Sequence, residues 1–274
     1  MRLAYSPCPN DTYIFAALTH GLVPGAPSVD VALHDIEELN GAAREGRYEL
    51  TKISYGAIPL LLDRYRLLRS GGALGRGCGP LMVARPGNTL ESIRSVAIPG
   101  PMTTAYLLLR LLLADRGLPL PQIRELRFDR IIGSVEHGEV DAGLIIHESR
   151  FTYRDHGLES VVDLGDWWES ATGRPIPLGG ILARRDLSPA ACQRIDDAIR
   201  ASLAHARARE GDVIDYVRAH AQEMDESVMR SHIALYVNEF SDDLGDEGAE
   251  AVRVLLQRAA AAGWAPAAPA DLFA

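Results

Sequence analysis

SVAIPGPMTTAYLLLRLLLADRG, residues 95–117, is the stretch that decides the fold class. A short apolar run ends in Pro-Gly-Pro, two threonines follow, and a longer apolar segment closes on Gly117. Short apolar runs favour strands, Pro and Gly interrupt regular structure, and a threonine before a periodic apolar segment is a helix start signal. The stretch therefore predicts a strand, a loop and a helix, the first half of a βαβ unit.

The same succession recurs along the rest of the chain. The other predicted strands are RLAYS, LTKIS, YRLLRS, LMVAR, RELRF, DAGLII and ILARR. Helices are predicted over TYIFAALTHG, EELNGAARE and DRIIGSVEHG, and the chain is predicted to be helical from LSPAACQRI onward. Strands that alternate with helical patterns predict an α/β protein whose sheets are mostly parallel and flanked by helices.

The order of these elements predicts two lobes. The pattern restarts after Arg85-Pro86-Gly87-Asn88, and WWESATGRPIPLGG carries the Gly and Pro residues typical of a connector. We therefore assign residues 1–86 and 178–274 to a first, larger lobe with the C-terminal helices, and residues 87–177 to a second lobe. This layout is typical of a hinged fold that binds a ligand in the cleft between its lobes.

Composition limits the partners. The 274 residues are 47% hydrophobic, enough for a large core, and 28 Lys and Arg against 37 Asp and Glu give a net charge of −9. This charge argues against nucleic acid or an acidic membrane surface as a partner. The chain shows neither a signal peptide nor an apolar run long enough to span a bilayer, so we expect a cytoplasmic protein with a small-molecule partner. Oligomeric state is left open.

The cysteines give no sign of a metal or disulfide framework. Cys8, Cys78 and Cys192 are far apart and form no CxxC pair, which favours a reducing compartment and predicts no metal site. The glycines of GGALGRGCGP lead into a strand and lack the GK[ST] ending of a phosphate loop, so a hairpin or hinge is expected there. Trp167 and Trp168 either stack on a ligand ring or pack between the lobes.

Polar side chains collect where the predicted strands end. In open α/β sheets ligands bind outside the carboxyl ends of the strands, where helix N-termini point into the crevice. The residues at these ends are Ser6, Asn10, Asp11, Lys52, Ser54, Thr103, Thr104 and His147. Their convergence predicts a binding site for a small anion.

Each of these residues also has a structural interpretation. Thr103 or Thr104 either binds an anion together with the helix N-terminus or serves only as its N-cap. Asn10 or Asp11 would cap a helix with or without a ligand nearby. Lys52 either reaches the ligand or extends its stem along the surface, and Ser54 either donates to the ligand or caps the next helix.

His147 directly follows the apolar run Leu144-Ile145-Ile146. An imidazole there, with its ordinary pKa near neutrality, can take a proton from a bound substrate, whereas a core histidine would instead bond to Glu148 or a backbone carbonyl. Cys8 is either involved in the chemistry or a buried spectator thiol. The remaining histidines are predicted to lie on the surface: His20, His34, His137, His156, His205, His220 and His232.

Six segments carry a family resemblance. They are SPCPNDTYIF, LTKISYGA, SGGALGRGCGPL, PGPMTTAYLL, GEVDAGLIIHESRFTY and GGILARRDL. In this order they resemble the 1,4-dihydroxy-6-naphthoate synthase family of menaquinone biosynthesis, from about Leu3 to the YVNEFS segment near Tyr236. Tyr13 stands where Phe is commoner in that family. The resemblance implies a two-lobed fold like that of type II periplasmic binding proteins, with the ligand cleft between the lobes.

The resemblance also implies a reaction and its residues. It implies a lyase that converts cyclic dehypoxanthinylfutalosine to 1,4-dihydroxy-6-naphthoate, releases the three-carbon fragment dihydroxyacetone, and uses no metal or redox cofactor. By position His147 matches the proton acceptor of the family. The residues that match its substrate-binding stretches are Lys52, Ile53, Ser54, Thr104 and Ala105.

Other functions fit the same architecture. The alternatives are chorismate dehydratase of the same pathway, a non-catalytic protein that binds a small anion, and a ligand-sensing module. The segments SPCPND and LIIHESRFTY favour the naphthoate synthase over the dehydratase.

Overall fold

The computed structural model describes residues 1–221 and 225–274. Its strands form two sheets, each with helices packed on it. The strands are β1 (Arg2–Tyr5), β2 (Asp30–Leu33), β3 (Leu50–Ser54), β4 (Tyr65–Leu67), β5 (Ala73–Gly75), β6 (Leu81–Ala84), β7 (Ser95–Ile98), β8 (Gln122–Glu125), β9 (Ala142–Ile145), β10 (Glu159–Asp163) and β11 (Ile176–Arg184).

Helices surround both sheets. They are α1 (Pro9–Thr19), α2 (Ile36–Arg44), α3 (Thr104–Asp115), α4 (Ile131–Glu136), α5 (Ser149–Thr152), α6 (Leu164–Thr172), α7 (Pro189–Ala208), α8 (Ile214–His220), α9 (Glu226–Tyr236), α10 (Glu239–Asp242) and α11 (Gly245–Ala261). A 3₁₀ turn over Tyr55–Leu60 follows β3. The helical prediction beyond LSPAACQRI is confirmed by α7 to α11, whereas the described residues after Ala261 are not helical. Residues 222–224 of that segment lie outside the described residues.

The first sheet has the strand order β2-β1-β3-β11-β4, with β5 also paired to β11. β1 runs parallel to β2 and to β3, whereas β11 runs antiparallel to β3, β4 and β5. The second sheet has the order β10-β6-β9-β7-β8. There β7 is parallel to β8 and β9, and β6 is antiparallel to β9 and β10.

The α/β class is confirmed, but both sheets are mixed where mostly parallel sheets were predicted. The difference arises at the strands by which the chain passes between the sheets. The chain leaves the first sheet after β5, enters the second through β6, and returns from β10 through α6 to β11. Both entering strands run against their neighbours, which strand patterns alone do not reveal.

Three local predictions need correction. The sequence analysis assigned LMVAR to the first lobe, but β6 pairs in the second sheet. The chain therefore crosses from the first sheet to the second in residues 76–80, ahead of the boundary predicted at residue 86. WWESATGRPIPLGG was predicted as a connector and instead contains most of α6 and the start of β11. Strands β2 and β10 were missed because both are edge strands without a clear apolar alternation.

α3 begins at the threonines of residues 95–117, where the sequence predicted the start of a helix. Thr103 is the N-cap, with its Oγ1 accepting a hydrogen bond from the backbone N–H of Tyr106 at 3.3 Å. The helix then buries Leu108, Leu109 and Leu112 in the core between the sheet and α6. Because the cap fixes where the helix starts, its N-terminal N–H groups stay at the end of β7. None of the helices in the described ranges is long and apolar enough to cross a membrane.

Candidate active site

A cavity lies at the strand ends, between residues of the two sheets. Concave pockets with a few convergent polar groups are the usual form of a small-molecule site. The predicted site residues that line it are Ser6, Asn10, Asp11, Lys52, Ser54, Thr103, Thr104, Ala105 and His147. The structure thus brings together residues that are up to 141 positions apart, from Ser6 to His147.

Ile53 is the exception among the predicted site residues. Successive side chains of a strand point to opposite faces, so Lys52 and Ser54 face the cavity while Ile53 faces away. Its side chain is fully buried and belongs to the hydrophobic core. The side chain of Ile53 therefore packs in the core and does not line the cavity.

A buried ion pair occupies one wall of the cavity. Lys52 Nζ donates to Asp11 Oδ1 at 2.7 Å, and the two side chains are 4% and 2% exposed. Ser6 Oγ donates to the second oxygen, Asp11 Oδ2, at 2.7 Å, and the Asn10 amide donates to Asp11 Oδ1 at 2.9 Å. The positive charge of Lys52 is thus already balanced before any anion binds.

The two threonine hydroxyls are engaged in structural hydrogen bonds. Thr103 Oγ1 donates to Gly100 O at 2.7 Å in addition to capping α3. Thr104 Oγ1 donates to Leu178 O at 2.6 Å and accepts from the N–H of Gly56 at 3.0 Å. A ligand anion at this end of α3 would therefore meet the first backbone N–H groups of the helix, at Thr104 and Ala105.

Polar contacts link α2 to the same region. The Asn40 side chain donates from Nδ2 to Ser54 Oγ at 3.2 Å and accepts the N–H of Ser54 at 2.9 Å. Glu37 accepts from the Asn40 amide and from the N–H of Met102. Burial raises the pKa of the Glu37 carboxyl, while these two hydrogen bonds act in the opposite direction. Ser54 is thus held by Asn40 and does not cap the following turn.

His147 has the most unusual geometry in the site. Its φ is 56°, a left-handed value that no other non-glycine residue adopts in the described chain. Such strain is uncommon for a residue with a side chain and concentrates at functional sites. Its Nδ1 lies 3.3 Å from Cys8 Sγ, and its buried Nε2 has no hydrogen-bond partner among the described residues. Nδ1 is thus held by Cys8, and Nε2 is available to bond to a ligand.

Cys8 and Glu148 complete the surroundings of His147. Donor atoms of these three side chains lie within 4.8 Å of one another, the one such group with metal-binding side chains in residues 1–221 and 225–274. Burial raises the pKa of the Cys8 thiol well above its usual value, and the charge of Glu148 raises it further. Because Cys8 Sγ lies within hydrogen-bond distance of His147 Nδ1, we interpret the thiol as a hydrogen-bonding neighbour of the imidazole.

Two cavity residues on α9 were missed by the sequence analysis. His232, predicted to lie on the surface, is 1% exposed and lines the cavity together with Tyr236. The spacing of Met229, His232 and Tyr236 places them on one buried face of α9, a signal that was present in the sequence. The sequence analysis predicted His232 to be exposed because it does not follow a predicted strand.

The tryptophans do not reach the cavity. Trp168 is fully buried, and its Nε1 donates to Pro175 O at 3.1 Å. Trp167 packs against the core around it. Of the two interpretations that the sequence left open, the structure supports packing.

The fold and the site together define a class of protein. Two mixed α/β sheets enclose a cavity at their strand ends, and an imidazole with one free nitrogen lines it. This is a periplasmic-binding-protein-like fold with a histidine in the wall of the cavity between its sheets. The alkanesulfonate-binding protein of Xanthomonas axonopodis pv. citri shares the fold, with a TM-score of 0.71 at 17% identity over 97% of this chain and 94% of that one.

The chain belongs to the menaquinone biosynthesis family, whose model matches residues 1–261. Two relatives named 1,4-dihydroxy-6-naphthoate synthase align with all of this chain and 98% of their own. They come from Thermus thermophilus, at 54% identity, and Streptomyces coelicolor, at 50% identity. A solved structure from Archaeoglobus fulgidus superposes with a TM-score of 0.89 at 37% identity, over 96% of this chain and 97% of that one. The family resemblance and the binding-protein-like fold are confirmed.

Proposed function

We propose that the protein is a lyase with the activity of 1,4-dihydroxy-6-naphthoate synthase. It would convert cyclic dehypoxanthinylfutalosine to 1,4-dihydroxy-6-naphthoate and release dihydroxyacetone. Full-length relatives of that name support the proposal. The observation that carries the chemistry is the buried Nε2 of His147, which has no hydrogen-bond partner among the described residues and belongs to a residue that lines the cavity.

His147 acts as the general base. For Nε2 to accept a proton, the proton of the neutral ring must sit on Nδ1, which then donates to Cys8 Sγ. Cys8 is therefore a positioning residue, which holds the ring through Nδ1 and leaves Nε2 without a partner among the described residues. The strained backbone at His147 directs the ring into the cavity, away from the path that a regular strand would follow.

Carbon–carbon cleavage follows from removal of this proton. A hydroxyl proton of the sugar-derived part passes to Nε2, the hydroxyl carbon becomes a carbonyl carbon, and the bond to the three-carbon fragment breaks. The electron pair moves onto a carbonyl oxygen of the fragment as an enolate, which takes the proton back from the imidazolium. Aromatisation of the remaining ring supplies much of the driving force, and the general base contributes roughly 10²–10⁴-fold.

The rest of the cavity binds and orients the substrate carboxylate. The N–H groups of Thr104 and Ala105 at the positive end of α3 are the proposed carboxylate site, supported by Lys52. Ser6, Asn10 and Asp11 hold Lys52 in place. Closure of the two lobes around the substrate would exclude water from the reacting bond.

The proposed compartment is the cytoplasm and the proposed partner a small carboxylate. The three cysteines are free and buried, as a reducing compartment favours. The acidic net charge of −9 gives no basis for nucleic-acid binding.

Incubation of the purified protein with cyclic dehypoxanthinylfutalosine, and separately with chorismate, tests the activity. We expect naphthoate product from the first substrate and no dehydration of the second. Turnover of chorismate would favour the sister dehydratase, and binding of either compound without turnover would favour a non-catalytic binding protein. Chromatography of the products distinguishes these outcomes.

His147→Asn tests the base. The variant retains a side chain that fits the loop, and we expect it to keep its affinity for the product while kcat falls roughly 10²–10⁴-fold. His137→Asn is the matched control, because His137 is exposed at the C-terminal end of α4 and does not line the cavity. Near-normal turnover by His147→Asn would refute the assignment.

A further inference from the structure

α9 carries a histidine that the proposed reaction does not use. His232 lines the cavity, is 1% exposed, and neither of its ring nitrogens has a hydrogen-bond partner in the described part of the chain. Buried polar atoms are nearly always hydrogen-bonded, and each exception calls for an explanation such as a ligand or a catalytic role. The unpartnered imidazole therefore indicates that an occupant of the cavity completes its hydrogen bonding.

The surroundings of His232 fix its orientation and its charge. Its ring centroid lies 4.6 Å from that of Tyr236 and 6.4 Å from that of His147. Burial lowers the pKa of His232 well below its usual value, and the nearby His147 and Lys52 lower it further. Asp11, the acid on this wall, is bound to Lys52. The imidazole is thus neutral, with one N–H donor and one acceptor nitrogen.

We propose that His232 is a second catalytic residue, whose imidazole donates a hydrogen bond to the substrate oxygen that gains negative charge as the carbon–carbon bond breaks. The inference rests on the proposed lyase function. A preorganised donor in a dry cavity stabilises developing negative charge more strongly than water does. The proton stays on the ring nitrogen throughout, so His232 forms and breaks no covalent bond.

The division of roles between the two histidines follows from their environments. His147 gains and returns a proton through Nε2, and among the described residues its hydrogen-bond partner is Cys8, at Nδ1. His232 is held neutral, which makes it a poor base but an effective donor. His147 extends from the end of β9 and His232 from α9, so base and donor approach the substrate from different elements.

Steady-state kinetics of two variants test this role. His232→Phe fills the space without a donor, and we expect kcat to fall about 10²–10³-fold while KM changes about threefold or less. His232→Gln supplies an amide N–H that does not titrate, so it should restore kcat to roughly a tenth of the original value with an unchanged pH profile. His137→Phe, at an exposed position outside the cavity, is the control.

Three results would overturn the inference. One is a kcat of His232→Phe within about threefold of the unmodified enzyme. Another is a His232→Gln variant as inactive as His232→Phe, which would make His232 a proton-transfer group. The third applies if His232→Phe does not fold, and it is measured by nitrogen NMR of the unmodified enzyme. A ring N–H signal of His232 that does not shift when 1,4-dihydroxy-6-naphthoate is added would overturn the inference. An unmodified enzyme without activity would refute the proposed function as well, whereas the first two results on an active enzyme refute this role alone.

Discussion

The pairing of Lys52 with Asp11 determines how much positive charge the cavity offers a substrate. A lone buried lysine would attract a carboxylate strongly, but here Asp11 is 2.7 Å away and both side chains are almost fully buried. Such a pair is weak evidence for stability, because desolvation of both charges offsets their attraction. Removing one partner is different, since it leaves the other charge buried and unbalanced.

Lys52→Met should therefore destabilise the protein by about 3–5 kcal/mol, because the Asp11 carboxylate loses its cation. The double variant Lys52→Met/Asp11→Asn should recover most of this loss, since it buries no unpaired charge. It should not recover substrate affinity, because the cation that supports the carboxylate site is still missing. Urea unfolding and KM measured on both variants separate the two effects. Unfolding of Lys52→Met at the original urea concentration would contradict this account.

The start of α3 joins three elements through one hydroxyl group. Thr104 on α3 bonds to Gly56, in the turn after β3, and to Leu178 on β11. A Cβ on Gly56 would lie 2.8 Å from Thr103 O, so the turn and the helix approach as closely as glycine allows. The junction therefore holds the proposed carboxylate site of the second sheet against two elements of the first.

Thr104→Val should loosen this junction. The substitution keeps the shape but leaves the N–H of Gly56 and the carbonyl of Leu178 without their partner, which costs about 1–3 kcal/mol of stability. We expect KM to rise roughly tenfold, the equivalent of about 1.4 kcal/mol, because the N–H groups of α3 shift relative to Lys52. Thr104→Ser keeps the hydroxyl and should behave almost as the unmodified enzyme in urea unfolding and in kinetics. An unchanged KM for Thr104→Val would place the carboxylate elsewhere.

The sequence predicted those parts of the molecule that local patterns determine. The Pro-Gly-Pro loop and Thr103 fixed the start of α3, and the apolar run before His147 fixed the end of β9. Which residues meet at the cavity followed from the rule that strand carboxyl ends converge. The edge strands β2 and β10 were missed because their partly exposed faces carry no clear alternation.

Local sequence patterns did not predict the contacts between residues far apart in the chain. Asp11 and Lys52 were both predicted in the site, but nothing local indicated that they pair with each other. His232 was misplaced because the packing of α9 over the cavity depends on the whole arrangement of helices. The sequence left open whether Thr103 and Thr104 bind an anion or cap α3. The long-range contact of the Thr104 hydroxyl with Leu178 O could not be predicted from local patterns.

At the scale of the whole molecule, two buried groups near the cavity respond to acid in opposite directions. Burial lowers the pKa of His232 and raises the pKa of Glu37. The contribution of Glu37 to stability is present at low pH and is lost as pH rises through its folded pKa. The contribution of His232 is present above the unfolded pKa of about 6.5 and is lost as pH falls toward its folded pKa. The contributions of Glu37 and His232 to the pH dependence of stability are separated by comparing variants.

His232 should therefore make the folded protein sensitive to mild acid. Below about pH 6.5 the unfolded chain binds a proton at His232, whereas the folded chain keeps this imidazole neutral. The free energy of unfolding therefore falls by about 1.4 kcal/mol per pH unit. Between about pH 7.5 and pH 5 the unmodified protein should lose about 2 kcal/mol more than His232→Phe, in which the contribution of Glu37 is unchanged and cancels. Urea unfolding at both pH values measures the difference, with His137→Phe as the control that should follow the unmodified protein. Equal losses in the unmodified protein and His232→Phe would mean that the folded state accommodates a charged imidazole at the cavity wall, in conflict with a neutral donor there.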